Sequence, residues 1–321
     1  MTILFRLTFL IMFFLQVFSR NAQSQEYDFD KLIKRETRRS IFEQVPLLED
    51  IGAEFSVAIV TLQFPAASRL DSKKFYRISS GPLHFTVQTI RIYSKDIGEQ
   101  ALDHLSRFRY LKVLIVRNKS VDDRLFETLA KLNGLEQLFL RDTAVNGSGL
   151  VLVTHLPLTH LDLSYTNLSE AGINALESFP ALEQLRLTGM DVDDEGLRRL
   201  SKLKKLADLD LRNTKITKID NLFEPESGVL PLRVLGLAGT SVDDQLFDYM
   251  PRLTNLNELS VNSTKVTAKG LAKLLDMKNL KLNNLQVDRH QIDEQFIDKM
   301  KEVCPLITIE VYEKDGKIRG Y

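Results

Sequence analysis

The chain has 321 residues, of which 44% are hydrophobic and 27% charged, and its 43 Lys and Arg side chains balance 43 Asp and Glu. This length can bury a sizeable core. A formal net charge of zero argues against general binding to nucleic acid or to an anionic membrane, because both require a surplus of cations on one face.

Residues 1–24 are predicted to be a secretory signal peptide. Arg6 precedes an almost wholly apolar run from Leu7 to Phe18, and Ala22 and Ser24 fit the small residues before a cleavage site. The run is shorter than the about 20 residues that span a bilayer. Alternatively, the segment remains as an uncleaved anchor, the one case in which we expect membrane association. Either way, we expect the remainder to be exported, as a periplasmic, cell-surface or secreted protein.

Residues 25–86 are predicted to be an N-terminal cap for residues 87–311. Lys31 to Phe42 has the composition of a charged helix, and Phe55 to Phe64 has that of a strand. A small independent domain is the alternative for this segment.

A repeat of 23 to 26 residues occupies residues 87–311, in about ten copies. Counted from the first residue of each copy, positions one, four and six are aliphatic in all ten, and position eleven is aliphatic in the nine complete copies. The first residues of the copies are Val87, Leu111, Leu135, Leu158, Leu182, Leu206, Leu232, Leu256, Leu282 and Leu306. One such unit cannot bury its own apolar side, so neighbouring copies must stack.

Two further positions predict a turn and then a helix after each strand. Position nine is Thr in five copies, where a hydroxyl can bond the turn backbone of neighbouring repeats. Position twelve is Asp, Asn, Ser or Thr in eight of nine copies, and these residues start helices by accepting from free N–H groups. We therefore expect short helices after most strands.

The frame resembles the leucine-rich-repeat family, and Thr264 to Leu271 is similar to the Thr-x-Val-x-Asp-x-Gly-Leu style of exported bacterial proteins of the planctomycete type. The resemblance implies an α/β solenoid with a curved, parallel, concave β-sheet and short helices on the convex side. It covers about 70% of the chain and implies little about function. Residues 312–321 are predicted to be a polar C-terminal tail. Cys304, the one cysteine, is predicted to be a small buried residue, with a reactive thiol as the alternative.

No sequence motif predicts catalysis, a metal or a cofactor. The five histidines lack zinc-type spacing, no glycine-rich phosphate loop or nucleophile elbow is present, and Asp191 to Gly196 resembles a calcium loop but has Lys202 where the last acidic ligand belongs. The repeat frame explains Asp193 as a helix cap. We therefore predict a non-enzymatic protein.

Positions two, three, five, seven and eight are predicted to face outward on the concave sheet, where they are free to bind a ligand. In the first three copies they form an apolar and aromatic surface edged by arginines, the N-terminal patch: Tyr93, Val113, Ile115, Arg117, Phe139 and Arg141. Asp162 and Arg186 continue position five along the sheet. Aromatic and arginine side chains are common in interface hot spots. Alternatively, the N-terminal cap covers this patch.

The sequence thus predicts a scaffold outside the cytoplasm that binds another protein or an extracellular polymer. One alternative is that residues 25–86 carry a catalytic or adaptor activity that the repeats present, although His84 is the only histidine there. Another is a structural envelope component that associates with itself.

Overall fold

A computed structural model describes residues 54–56, 61–80, 87–98, 100–223, 231–277, 280–314 and 317–321. The predicted signal peptide and the helix predicted from Lys31 to Phe42 lie outside these ranges. In the described part of the chain, no helix combines the length and apolarity that crossing a membrane requires.

A parallel sheet forms one side of the repeats. Its strands in chain order are β1 (Glu54–Ser56), β2 (Thr61–Phe64), β4 (Thr89–Ile92), β6 (Val113–Val116), β7 (Gln137–Phe139), β8 (His160–Asp162), β9 (Gln184–Arg186), β10 (Asp208–Asp210), β11 (Val234–Gly236), β12 (Glu258–Ser260), β13 (Asn284–Asp288), β14 (Thr308–Tyr312) and β15 (Ile318–Gly320). They form one 13-stranded sheet among the described residues, in sequence order. A separate two-stranded sheet pairs β3 (Arg69–Leu70) with β5 (Asp96–Ile97).

Every pairing from β2 to β14 is parallel, whereas β1 and β15 run antiparallel to their neighbours at the two edges. The sequence predicts a single strand over Phe55 to Phe64 and a polar tail after residue 311. The structure instead places two antiparallel strands in the first segment, and the tail supplies β15.

Short helices return the chain from strand to strand. The α-helices are α1 (Ser72–Ser80), α2 (Arg124–Leu129), α3 (Glu170–Leu176), α4 (Asp194–Leu200), α5 (Leu246–Tyr249), α6 (Ala268–Ala272) and α7 (Glu294–Val303). The 3-10 helices are Ala101–Arg107, Ser148–Val153, Asp220–Phe223, Met250–Arg252, Lys273–Asp276 and Arg289–Gln291. Strands lie about 4.8 Å apart but packed helices need 8–10 Å, so the sheet is the inner, concave side of the stack.

The repeat frame accounts for the core. All ten side chains at position six are fully buried, and all ten at position four are no more than 1% exposed. Two positions depart from the frame. Leu306, at position one of the last copy, is 87% exposed and Ile307 is buried instead, and Ile97 is half-buried. No further described repeat stacks on Leu306, which explains its exposure.

The position-nine threonines close their own turns. Each hydroxyl donates to the carbonyl of position six three residues earlier, at 2.6–2.7 Å, in Thr143, Thr166, Thr214, Thr240 and Thr264. These bonds stay within one turn, so the expectation that the hydroxyls bond the turn backbone of neighbouring repeats is wrong, although the Thr166 hydroxyl also contacts Sδ of Met190 in the next repeat at 3.5 Å. Gln291, fully buried, makes such a link instead: its amide donates to the carbonyls of Val261 and Val266 in the preceding repeat.

Four of the predicted caps start an α-helix by accepting from the N–H three residues ahead: Ser169, Asp193, Thr267 and Asp293. Three others accept from the N–H two residues ahead, which gives a tighter turn: Asp122, Asn146 and Asp243. Thr217 differs from these, since its N–H and hydroxyl both donate to Asp194 of the preceding repeat.

Candidate functional site

The outward side chains of the sheet fall into register from strand to strand. At position five the aligned residues are Arg91, Ile115, Phe139, Asp162, Arg186, Asp210, Gly236, Ser260, Gln286 and Glu310. Adjacent members are one strand spacing apart, about 4.8 Å. A ligand lying across the strands would therefore meet one such side chain from each repeat.

The N-terminal patch lies at the predicted place on this face. Ile115 and Phe139 are register partners and are both half-buried, and Val113 is half-buried on the same strand as Ile115. Arg117, exposed, and Arg141, half-buried, follow those strands at position seven. These five residues come from two adjacent strands, β6 and β7, and the structure brings them together.

The other three predicted site residues, Tyr93, Asp162 and Arg186, differ in burial and in what they contact. Tyr93 follows β4 and is half-buried. Asp162 is only 5% exposed, and its Oδ1 accepts from the backbone N–H of Ser164 at 2.9 Å, so its carboxylate ties its own strand end. Arg186 is exposed and borders a second region of the face, around Gly236.

An aromatic residue that sequence reasoning missed extends the patch. The Arg141 guanidinium lies 4.5 Å from the centroid of the Tyr165 ring, a cation–π distance. Tyr165 has a φ of 57°, in the left-handed region that a bulky side chain rarely adopts, and a Cβ on Gly189 would lie 2.6 Å from its ring. The signal was present: position eight carries Tyr here, but Asp142, Asn213, Ser263 or glycine in the neighbouring left-handed turns.

Asp210 and Arg212 form an ion pair on the same face. Arg212 donates from Nε to Oδ1 at 2.9 Å and from Nη2 to Oδ2 at 2.5 Å. Burial acts to raise the pKa of Asp210, but the hydrogen bonds and charge of Arg212 outweigh it and hold that pKa below its usual range. The same hydrogen bonds raise the pKa of Arg212.

Tyr312 lies within electrostatic reach of this pair, although it is four repeats further along the chain. Burial raises the pKa of the Tyr312 hydroxyl, Glu310 acts in the same direction, and Arg212 acts against them. Arg212 and Tyr312 both occupy position seven, with the small Ala238 and the half-buried Asn262 and Asp288 between them.

A hollow of about 320 Å³ opens in this part of the concave face. Gly236, which has no side chain, forms part of its floor next to Val234, and Asp208, Glu258, Ser260 and Asn284 are among its walls. The sequence shows the small residues Gly236, Ala238 and Gly239 in one strand and its turn. Among the predicted site residues, Arg186 lines this hollow.

The described histidines contact neutral partners or solvent. His104 bonds the Ser72 hydroxyl at 3.1 Å, His155 the Leu132 carbonyl at 3.1 Å and His160 the Thr159 hydroxyl at 2.9 Å. His290 is exposed, and His84 lies outside the described residues. Burial, then the charge of Arg107, lowers the pKa of His104. Within the described ranges, no three His, Cys, Asp or Glu side chains assemble as a metal site.

Two other sequence interpretations concern single residues. Cys304 is 5% exposed, as predicted, its Sγ lies 3.4 Å from the Leu280 carbonyl oxygen, and burial raises its thiol pKa. In the calcium-like segment, Asp193 caps α4 as predicted, while Asp194 accepts from Thr217 and Asp191 pairs with Lys215.

Comparison with known proteins identifies the fold. No family model and no curated protein matches the sequence. Among solved structures, the chain is similar to an internalin from Listeria monocytogenes, with a TM-score of 0.58 and 16% identity over 78% of this chain and 73% of the internalin. The similarity confirms the predicted leucine-rich-repeat solenoid. It does not test the resemblance to the planctomycete type of repeat.

Proposed function

We propose that this protein is a non-enzymatic scaffold that works outside the cytoplasm and binds another protein on the concave face of its repeats. The observation that supports the proposal most is the row of register-aligned position-five side chains, most of which the core does not need. Leucine-rich-repeat architecture is suited to binding, although a fold alone does not fix a function. An extracellular polymer is the alternative ligand.

The N-terminal patch offers the groups that protein interfaces favour. Ile115 and Phe139 supply adjoining apolar area, and Arg117 and Arg141 border it. Arginine and aromatic residues are enriched among the few side chains that carry most of the binding energy. The stack of Arg141 on Tyr165 also holds the guanidinium in place before a partner arrives, which reduces the entropy lost on binding.

Capture of a partner by the immobilised mature chain tests the proposal. The chain is exposed to native envelope and medium fractions as wild type, as Phe139→Ala and as Arg141→Ala, with Lys202→Ala as the control because Lys202 is exposed outside the sheet. We expect each face variant to weaken capture about tenfold or more, with a midpoint of thermal unfolding close to wild type. The proposal fails if no captured protein depends on this face.

A further inference from the structure

The hollow differs chemically from the N-terminal patch. Of its charged lining residues, Arg186 and Arg212 are cations, and Asp208, Asp210 and Glu258 are anions. Asp210 and Arg212 neutralise one another through two hydrogen bonds. Arg186 stands at the rim, three strand spacings, or about 14 Å, from Ser260. The centre of the hollow therefore has an acidic balance.

Three side-chain amides around the centre donate to carboxylates. The side-chain amides of Asn284 and Gln286 both donate to the Glu310 carboxylate, at 2.8 and 3.1 Å, and that of Gln184 donates to Asp208. Because a carboxylate can only accept, these contacts fix the orientation of the amides. The amide carbonyl oxygens of Asn284 and Gln286 are therefore left as acceptors.

One polar side chain that lines the hollow has an unpaired oxygen, and so has a second residue just beyond the lining. The Ser260 hydroxyl lines the hollow, its residue is 7% exposed, and it makes no hydrogen bond in the described structure. Oδ1 of Asn262, which follows on the same face of the strand, is buried and unpaired as well. Unpaired buried polar groups cost free energy. A donor brought by a ligand, with rotation of the Ser260 hydroxyl, would satisfy the Ser260 oxygen.

Asp208 and Glu258 stand on either side of the floor. Both are register partners of Val234, so their backbones lie two strand spacings apart, about 10 Å, with Val234 between them. A guanidinium above Val234 presents N–H donors on two sides, so it can donate to the Asp208 and Glu258 carboxylates together. Its five N–H donors also suit a site that offers the carbonyl oxygens of Asn284 and Gln286 as acceptors.

We infer that the hollow receives an arginine side chain from the protein that docks on the concave face. This inference rests on the proposed function and adds a second subsite around Gly236, four repeats after Phe139 and five after Ile115. The partner surface would then combine an apolar portion for the N-terminal patch with a basic side chain for the hollow.

A blocked arginine, N-acetyl-arginine amide, tests the hollow by itself, with its neutral citrulline analogue for comparison. Amide chemical shifts of Gly236 and Ser260 in the full chain report binding. A single side chain binds weakly, on the order of millimolar. We expect arginine to shift both amides saturably, and citrulline to require at least about tenfold higher concentration.

Two double variants separate recognition from general charge. Asp208→Asn with Glu258→Gln should weaken arginine binding about tenfold or more, whereas Glu127→Gln with Asp298→Asn, the same charge change on exposed helix residues, should leave it unchanged. The inference is overturned if citrulline binds as well as arginine, if the first double variant binds like wild type, or if an N-acetylglucosamine oligomer and not arginine shifts the two amides. The proposed function would survive these outcomes if capture still depended on Phe139.

Discussion

At the scale of single residues, the ion pair of Asp210 and Arg212 shows how this face combines charge with burial. The Asp210 side chain is 9% exposed, whereas that of Arg212 is 46% exposed. Arg212 therefore covers the carboxylate and remains available to a ligand. The backbone N–H of Arg212 also donates to Asp210, at 3.1 Å, so the pair secures the end of β10.

We expect Asp210→Asn to lower the free energy of unfolding by about 1–2 kcal/mol at neutral pH, because it removes a charge-assisted pair whose arginine can rehydrate. The pKa of Asp210 is depressed in the folded state, so its contribution is complete above the unfolded value of about 3.9 and is lost as the pH falls through the folded value. Urea unfolding at several pH values measures this. The gap between wild type and variant should close below about pH 4.

Asp191→Asn is the matched control, because Asp191 and Lys215 pair with both side chains about two thirds exposed. Such a pair contributes little, so its loss should change stability by less than about 0.5 kcal/mol. If the two variants change the free energy of unfolding equally at every pH, burial does not make the Asp210 pair more stabilising than the exposed pair.

The sequence correctly predicted which repeat positions face the core and which face outward. It did not predict which outward side chains bond their own backbone and which are free to bind a ligand. Positions four and six follow from apolarity alone. Asp162 and Asp210 are at the outward position five, yet their carboxylates accept from the N–H groups of Ser164 and Arg212. These bonds depend on the bend of the chain at the end of the strand, which the repeat pattern does not show. The hollow was not predicted either. A glycine leaves a hollow only where side chains on the neighbouring strands surround it, and the position of Gly236 in the sequence does not show those neighbours.

At the scale of elements, Asp123, Asp194 and Asp244 on the helical side each link their repeat to the next. Asp194 accepts from the N–H groups of Thr217 and Lys218, and Asp244 accepts from the N–H and hydroxyl of Thr267. These bonds fix where the next helical segment begins. Sequence reasoning found the caps within each repeat but not this ladder, because the ladder's partners are 23 or 24 residues apart.

Gly270→Ala tests the ladder. An added Cβ would lie 2.0 Å from Oδ1 of Asp244, so Asp244 must move and give up its bonds to Thr267. We expect a loss of about 1–2 kcal/mol. In a double-mutant cycle measured by urea unfolding, Asp244→Ala should cost a similar amount alone, and adding Gly270→Ala to it should cost much less.

Gly134→Ala serves as the control, since the nearest atom to its Cβ would be Nζ of Lys112 at an ordinary 3.6 Å. It should not lower stability. Strictly additive effects of the Gly270 and Asp244 substitutions would show that the two residues act independently.

At the scale of the whole molecule, the repeats form a one-dimensional stack in which neighbours contact neighbours. Sequence reasoning began the stack at Val87, yet β2 extends the same parallel register, with Leu62 opposite Ile90 and Phe64 opposite Ile92. The segment from Leu62 to Leu70 is one residue longer than the matching segment from Ile90 to Ile97. Leu62 and Ile90 are also 28 residues apart, more than the 23 to 26 of the other copies, and this longer spacing hid the earlier strand from a search for the repeat.

Deleting residues 135–157, one full repeat, should leave a folded and shorter solenoid. Asp123 now accepts from the N–H groups of Asn146 and Gly149, and a Cβ on Gly149 would strike Phe126. After the deletion Ser169 and Gly172 take these two places, so glycine again faces Phe126. Circular dichroism and cooperative unfolding should persist, while capture through Phe139 is lost.

Deleting residues 135–146, half a repeat, should abolish folding. This deletion removes the strand of one repeat and keeps its helix, so the helix no longer has a strand of its own to pack against. A folded protein from this deletion would contradict the stacking model.

The two antiparallel edge strands impose a rule on how such a molecule can change its size. Because β1 and β15 reverse direction, neither edge presents the parallel pattern that another copy of the repeat would extend. Gene duplication or loss can therefore lengthen or shorten the stack only from within. Insertion or loss of an internal repeat would then change the distance between the N-terminal patch and the hollow by one strand spacing, and both ends of the stack would stay as they are.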